Sequence, residues 1–370
     1  MEHTLPRTAH SALNLFQKFF NGRERQVSMD MKKITTILAL AALMTLFATT
    51  AMAAVTIRLS HSGPTPTTGA TNDEGCKAFK EYVEKASNGA IKVNIFPNNQ
   101  LGNEREQIEG VQMGTIQMCS ISSGPLSTLD PKILAIDLPY LFASKPGAYN
   151  FFDGPTGTKI REQFGKTTKT VFLAFGENGF RHFTNRVRPI QSPDDLKGLK
   201  IRTMENPVHI AMMKSLGATP TPIPFGELYT ALSQGVVDGQ ENPVSLTESS
   251  RLHEVQKHLT LDGHFYSPFV LVANGSFFEK KLTPEQQQIV RDGAAAWSKR
   301  QREFNDADEK RALAAMRESG VVVTELNPAQ LEAFRKLTQE SVRPLIEQEV
   351  GKDYLEEIVA AAAEAEKAAR

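Results

Sequence analysis

The sequence predicts an α/β protein of two units with a long helix lying across both. Three observations carry that reading. Strand-like and helix-like patterns alternate from Val55 to Phe175, and a second alternating set begins after Glu177-Asn178-Gly179; strand, helix, strand at this spacing makes a parallel sheet with crossover helices. The chain has 370 residues, 40% of them hydrophobic and 23% charged, which is enough for two cores. Thr283-Pro284-Glu285-Gln286 is a capping box with Pro at the first helical position, and the helical pattern behind it runs to about Ser319.

The elements follow in order. Met31-Lys32-Lys33 is a basic start, Ile34 to Phe47 an apolar run, and Ala51-Met52-Ala53 a small-x-small cleavage signal. Together they predict a secretory signal peptide over 31–53, too short for a membrane span. Residues 1–30 show no periodic pattern and are expected to be an upstream extension of the start site. Val55–His61 alternates as a first strand and ends in the turn Ser62-Gly63-Pro64. Asn72 to Ser87 has helical spacing and is stopped by Asn88-Gly89. Ile91–Phe96 is a strand, Asn103 to Met113 a helix, and Ile116 to Ile121 a third strand, followed by the polar turn Ser122-Ser123-Gly124-Pro125. Ile136–Phe142 is a packed connection, Ala148 to Phe164 one helix, and Thr170–Phe175 a strand.

In the second set, strands are expected at Phe180–Arg186 and Leu199–Arg202, and a helix at Val208–Leu216. A Pro-rich turn at Ala218–Pro224 and a helix at Gly226–Gln234 follow, then a strand at Val236–Gly239. Lys257–Leu261 and Pro268–Ala273 are strands that can cross back. Val321–Thr324, a helix capped by Asn327-Pro328, and a helical tail from Asp353 complete the chain.

Charge and motifs exclude several functions. The 42 basic and 42 acidic side chains balance, so nothing draws the whole molecule to nucleic acid or an anionic membrane. No GxSxG elbow, Walker A loop or GxGxxG after a strand is present. His253-Glu254 comes near a zinc HExxH motif, but the next histidine, His258, sits about 100° off the required helix face. Only Cys76 and Cys119 are present, and pairing and two buried thiols both remain open. What stands out is a pair of arginines in apolar company, Arg181 after Gly179-Phe180 and Arg202 at the end of Leu199-Lys200-Ile201. Arginine is the residue for planar, bidentate recognition of a carboxylate.

Several runs carry a resemblance: IFPNNQLGNEREQIEGVQMG (Ile95–Gly114), LPYLF (Leu138–Phe142), NGFRHFTN and RPIQSPDDLKGLKIR (within Asn178–Arg202), and LGATPTPIPFGELYTALSQGVVDGQENP (Leu216–Pro243). Between Val55 and about Leu326 the sequence resembles the solute-binding proteins of the tripartite ATP-independent periplasmic (TRAP) transporters, the family that includes dicarboxylate binders. The resemblance implies a two-domain periplasmic solute-binding fold with hinge strands and a ligand cleft. It places 54–178 with 267–282 in domain I, 179–266 with 320–370 in domain II, and 283–319 as the bridging helix. It further implies a non-enzymatic, exported, monomeric carrier of a small carboxylate that needs no cofactor or metal and docks on the small and large membrane subunits of a permease. By the same resemblance Arg202 pairs with the ligand carboxylate, Arg181 is a second ligand arginine, Asn242 a polar contact and Phe225 an aromatic wall. His61 and Ser122 line the cleft at positions that vary with substrate. Ser123, Glu205 and Asn206 are further residues that could line it. A secreted ligand-sensing domain is the alternative.

Overall fold

The computed structural model describes residues 54–370, residue 67 excepted, together with Met31. The expected start-site extension and signal peptide lie outside the described residues apart from Met31. The first half runs β1 (Val55–His61), α1 (Thr71–Ala86), β2 (Ile91–Phe96), α2 (Glu104–Met113) and β3 (Met118–Ser122). Two 3-10 segments, Gly124–Thr128 and Pro131–Asp137, lead to α3 (Lys145–Asp153), α4 (Pro155–Thr168) and β4 (Thr170–Phe175). The second set is β5 (Gly179–Asn185), β6 (Lys200–Thr203), α5 (Pro207–Ser215), β7 (Thr219–Pro222), α6 (Leu228–Ser233), β8 (Gly239–Asn242) and α7 (Val244–Ser249). Then come β9 (His258–Ser267), β10 (Phe269–Asn274), α8 (Gly275–Lys281), α9 (Pro284–Glu318), β11 (Val322–Glu325), α10 (Pro328–Val350) and α11 (Lys352–Ala368).

These strands form two sheets, ordered β2-β1-β3-β10-β4 and β11-β9-β5-β8-β6-β7. In the first, β1 pairs in parallel with β2 and β3, as the βαβ spacing requires, whereas β10 is antiparallel to β3 and β4. The antiparallel strand is the chain returning from the other sheet. Two such crossings run side by side, β4 into β5 and β9 into β10, and bond to each other through Gly176 N–H to Phe269 C=O (2.8 Å) and Asn178 N–H to Ser267 C=O (3.1 Å). The third crossing is α9, whose 35 residues span roughly 50 Å at 1.5 Å per residue. Its first half buries Val290, Ala294 and Trp297 with Phe79 and Val83 of α1. Its second half buries Ala312 and Met316 with Val244 and Leu259 of the second sheet's layer. Residues 54–370 thereby make one compact unit.

Local chemistry explains where the elements begin. Asn103/Glu106, Thr283/Gln286 and Asn327/Gln330 are reciprocal capping boxes at the starts of α2, α9 and α10, each cap contributing about 1 kcal/mol.

Four expectations need correction. The single helix over Ala148–Phe164 is two helices, because Gly154 is extended (φ −78°, ψ −173°) before Pro155, and proline disfavours a helical residue ahead of it. The Pro-rich turn contains β7, an edge strand parallel to β6; prolines are tolerated there because an edge strand leaves one side of its backbone unpaired. The strand expected at Val236–Gly239 lies at Gly239–Asn242, which moves Asn242 to a strand end. The segment 320–370, expected wholly in domain II, divides. β11 and α10 lie with the second sheet, whereas α11 packs along α3. Glu366 of α11 fixes that contact by accepting from Ala143 N (2.8 Å), Ser144 N (3.0 Å) and Ser144 Oγ (2.8 Å) at the start of α3.

Candidate functional site

Strands β1 and β3, parallel in the first sheet, and β6 and β8, parallel in the second, end at one cleft between the sheets, at the carboxyl ends where α/β folds place ligands. Its inner cavity is lined by Ser62, Glu104, Ser122, Arg202, Phe225 and Asn242, closed by the apolar Met204, Leu246 and Phe269. Its volume is about 10 Å³, close to one water molecule's worth, against roughly 300–1,000 Å³ for ordinary ligand sites. A narrow mouth of about 20 Å³ continues past Arg105 and Glu205. An organic acid therefore enters only when the sheets part.

Arg202 dominates this cleft. It sits in β6, buried to 2% exposure, with Ile201 turned to the core beside it. Its Nε donates to the Ile223 carbonyl (2.8 Å), which orients the plane of the guanidinium. Among the described residues no carboxylate lies within ion-pairing distance of it. Burial pulls its pKa down to about 10, with Glu241 working against the shift and Arg181 adding to it. It stays charged at neutral pH. A buried cation without a partner costs several kcal/mol, and that cost is offset when a ligand anion arrives.

Arg181 behaves differently. It is fully buried in β5 and grips Glu241 of β8 with Nε and Nη2, the second at 2.9 Å from Oε1. Nη1 has no partner among the described residues, and the residue does not line the cavity. The Glu241 carboxyl would be raised by burial, yet Arg181, His209 and His264 together hold it well below the ordinary range. His264 stands between Asp262 (2.6 Å) and Glu241 (3.2 Å). Burial works against its charge, but the two carboxylates push its pKa up to about 9. Arg181, the expected second ligand arginine, thus takes part in an internal ion network that ties β5, β8 and β9 together.

The other expected residues divide in the same way. Asn242, 2% exposed at the end of β8, lines the cavity and donates from Nδ2 to Gln240. Phe225 opens a 3-10 turn after Pro224 and forms the wall toward the mouth. Ser122 lines the cavity, but its N–H (2.9 Å) and Oγ (3.0 Å) both donate to Glu104. His61 is fully buried beside Asp73 (3.5 Å), one residue short of the lining. Asn206 caps α5 and donates to Asp137 (2.7 Å), away from the cavity; Ser123 is buried outside the lining, and Glu205 stands at the mouth.

Sequence reasoning missed Glu104. It is the first residue of α2, read only as part of a helix start, and Ser62 Oγ (2.8 Å) joins Ser122 on its Oε1. The signal was an acidic residue one position after an N-cap in a turn that follows a strand edge.

His253 lies in a 3-10 turn and Glu254 accepts from Arg251 (2.8 Å) and Tyr229 (3.2 Å). No metal-ligating cluster occurs among the described residues. Cys76 and Cys119 are buried free thiols, not a bridge, and burial pushes both thiols up out of the reactive range.

Comparison with known proteins gives the family. Residues 63–349 match the model of the family described as bacterial extracellular solute-binding protein, family 7. The 2,3-diketo-L-gulonate-binding periplasmic protein YiaO of Escherichia coli is 35% identical over 336 residues, 89% of this chain and 99% of that one. A TRAP periplasmic solute-binding protein from Polaromonas sp. JS666 bound to D-erythronate is 36% identical with a TM-score of 0.78, over 83% of this chain and 98% of that one. Another from Sulfurospirillum deleyianum with bound succinate is 29% identical with a TM-score of 0.78, over 84% and 100%. The chain belongs to the family-7 bacterial extracellular solute-binding proteins and is the non-enzymatic, extracytoplasmic solute-binding component of a TRAP transporter.

Proposed function

We propose that the protein captures a hydroxylated monocarboxylate, an acid of the aldonic or sugar-acid class, and delivers it from the periplasm to the small and large membrane subunits of its permease. The observation that carries this reading is Arg202, a buried guanidinium held by one carbonyl and left without an anion among the described residues. The ligand carboxylate takes the Nη edge of Arg202, Asn242 offers a donor and an acceptor beside it, and Phe225 covers the carbon chain. Arg181 acts through Glu241 and β8 rather than on the ligand, and His61 supports the loop that presents Ser62.

Glu104 sets the class. Its Oε1 is taken by Ser62 and Ser122, while Oε2, without a hydrogen bond among the described residues, would accept from ligand hydroxyl groups. A second ligand carboxylate would face this acid and be repelled. The protein works as a monomer that opens and closes about its three crossings. A thermal-shift panel tests the class: ligand at 100 times its dissociation constant adds about 2.7 kcal/mol. D-erythronate and related hydroxy acids should shift melting most. A larger shift with succinate would reverse the Glu104 argument, and no shift with any carboxylate would remove the reading altogether.

A further inference from the structure

A second cavity lies outside the cleft, on the outer side of the first sheet between β4, α4 and α9. Its volume is about 670 Å³, inside the range of ordinary ligand sites. Phe152, Leu173 and Phe175 give it an apolar floor, and Arg161, Arg291, Lys299 and Arg302 rim it. Most of the acids around it are already matched. Arg302 holds Asp153 (Nη2–Oδ1 2.9 Å), Lys299 approaches Glu303 (3.7 Å), and Asp306 pairs with Lys145 (3.0 Å). Arg161 and Arg291 have no carboxylate at ion-pairing distance among the described residues.

The two arginines are held, not loose. Arg161 donates from Nη1 to the Leu173 carbonyl (2.9 Å) and from Nη2 to Thr158 (3.0 Å), and its buried Nε has no acceptor among the described residues. Arg291 lies over the Phe278 ring at 4.8 Å, which fixes the plane of its guanidinium. Burial holds Arg161 below its usual pKa; Asp153 and Glu162 oppose the shift and the Arg291 charge adds to it. Both guanidiniums line the groove, so an anion entering it is attracted by two cations that have no carboxylate at ion-pairing distance among the described residues.

We propose that this groove is a second binding site, for a small monoanionic carboxylate with an aromatic or otherwise apolar body. The carboxylate would bridge Arg161 and Arg291 while its ring lies on the Phe152–Phe175 floor. The two sites differ in their charged groups: the cleft sets the single cation Arg202 against the carboxylate of Glu104, whereas the groove carries two arginines with no carboxylate partner among the described residues. The groove also ends at Phe175, whose carbonyl accepts from Ser298 (2.7 Å) just before the chain crosses between the sheets.

Calorimetric titration with 2-naphthoate tests the site. Wild type and Arg202→Ala should bind it with equal affinity in the millimolar range or better, because the probe does not use the cleft. The pair Arg161→Gln with Arg291→Gln should weaken it at least tenfold. Loss of binding in Arg202→Ala, unchanged binding in the double variant, or no heat with wild type would each overturn the proposal. Arg161 also supports the fold through Leu173, so exposed Arg291→Gln alone serves where the double variant does not melt cooperatively. It should weaken binding about threefold, and unchanged affinity would again overturn the proposal.

Discussion

Replacing Arg181 by methionine separates the two buried arginines of the cleft region. The change leaves Glu241 fully buried without its bidentate partner, and breaking a buried pair from one side costs about 3–5 kcal/mol. An unfolding entropy near 2.1 cal/mol/K per residue over about 320 residues makes each kcal/mol worth roughly 1.5 °C. Arg181→Met should therefore lower the melting temperature by about 4–7 °C. The companion Arg181→Met/Glu241→Met, which removes both charges, should recover a large part of that loss; His264 keeps it from recovering all, since Glu241 also faces that ring. Arg202→Met should do the reverse in the absence of ligand, leaving the melting temperature unchanged or raised, because it removes a cation that nothing in the described protein neutralises. Circular dichroism melts of the four proteins make the comparison. Equal losses for Arg181→Met and Arg202→Met would refute the division of labour between the two residues.

Other consequences can be checked separately. Glu104→Gln should weaken a hydroxylated acid about tenfold or more, one charged hydrogen bond being worth about 1.5–3 kcal/mol, and should improve succinate relative to it in the same titration. Stability should peak near neutral pH, as read by melts across pH. The His264 pKa, raised to about 9 from an unfolded value near 6.5, gives stability that is full below pH 6.5 and lost as pH rises through 9. Burial pulls His182 down to about 4, so its contribution is present above pH 6.5 and lost as pH falls toward 4. His264→Gln should flatten the alkaline limb only. Glu366→Ala should free the turn ahead of α3 and lower stability by about 1–2 kcal/mol in a urea titration, and a change below a few tenths would mean that α11 is held by its apolar face alone.

Much of the architecture was legible because it rests on local signals. Period-2 and period-3.6 patterns located the first sheet and its helices, and the Thr283 box and the Asn327 cap marked helix starts, both of which the structure shows as reciprocal bonds. The misreadings came where tertiary pairing decided the outcome. Thr219–Pro222 is a strand because β6 offers an edge, and α11 lies on α3 with Glu366 accepting from Ala143 and Ser144 just ahead of that helix, which no local pattern announces. The site followed the same division. Arg202 stood out by residue type at the end of an apolar run, and the family resemblance gave it a role; Asn242 was named through the resemblance alone, because its strand was expected to end at Gly239. Arg181 has the same residue type and an equally apolar setting, but its role depends on Glu241, 60 residues away and readable only once β5 and β8 pair. Glu104 was hidden for a related reason, since its first-turn position is also the commonest place for an acid that merely favours a helix dipole.

The most direct test is the affinity for D-erythronate of wild type, Arg202→Ala and Arg186→Ala, measured by calorimetry at neutral pH. Arg186 is an exposed cation already paired with Asp238 (3.1 Å). Loss of the buried Arg202 contact removes one or two charged hydrogen bonds of about 1.5–3 kcal/mol each, so Arg202→Ala should bind at least tenfold more weakly while Arg186→Ala binds as wild type does. Equal, small effects from the two substitutions would contradict the assignment of Arg202 as the carboxylate anchor.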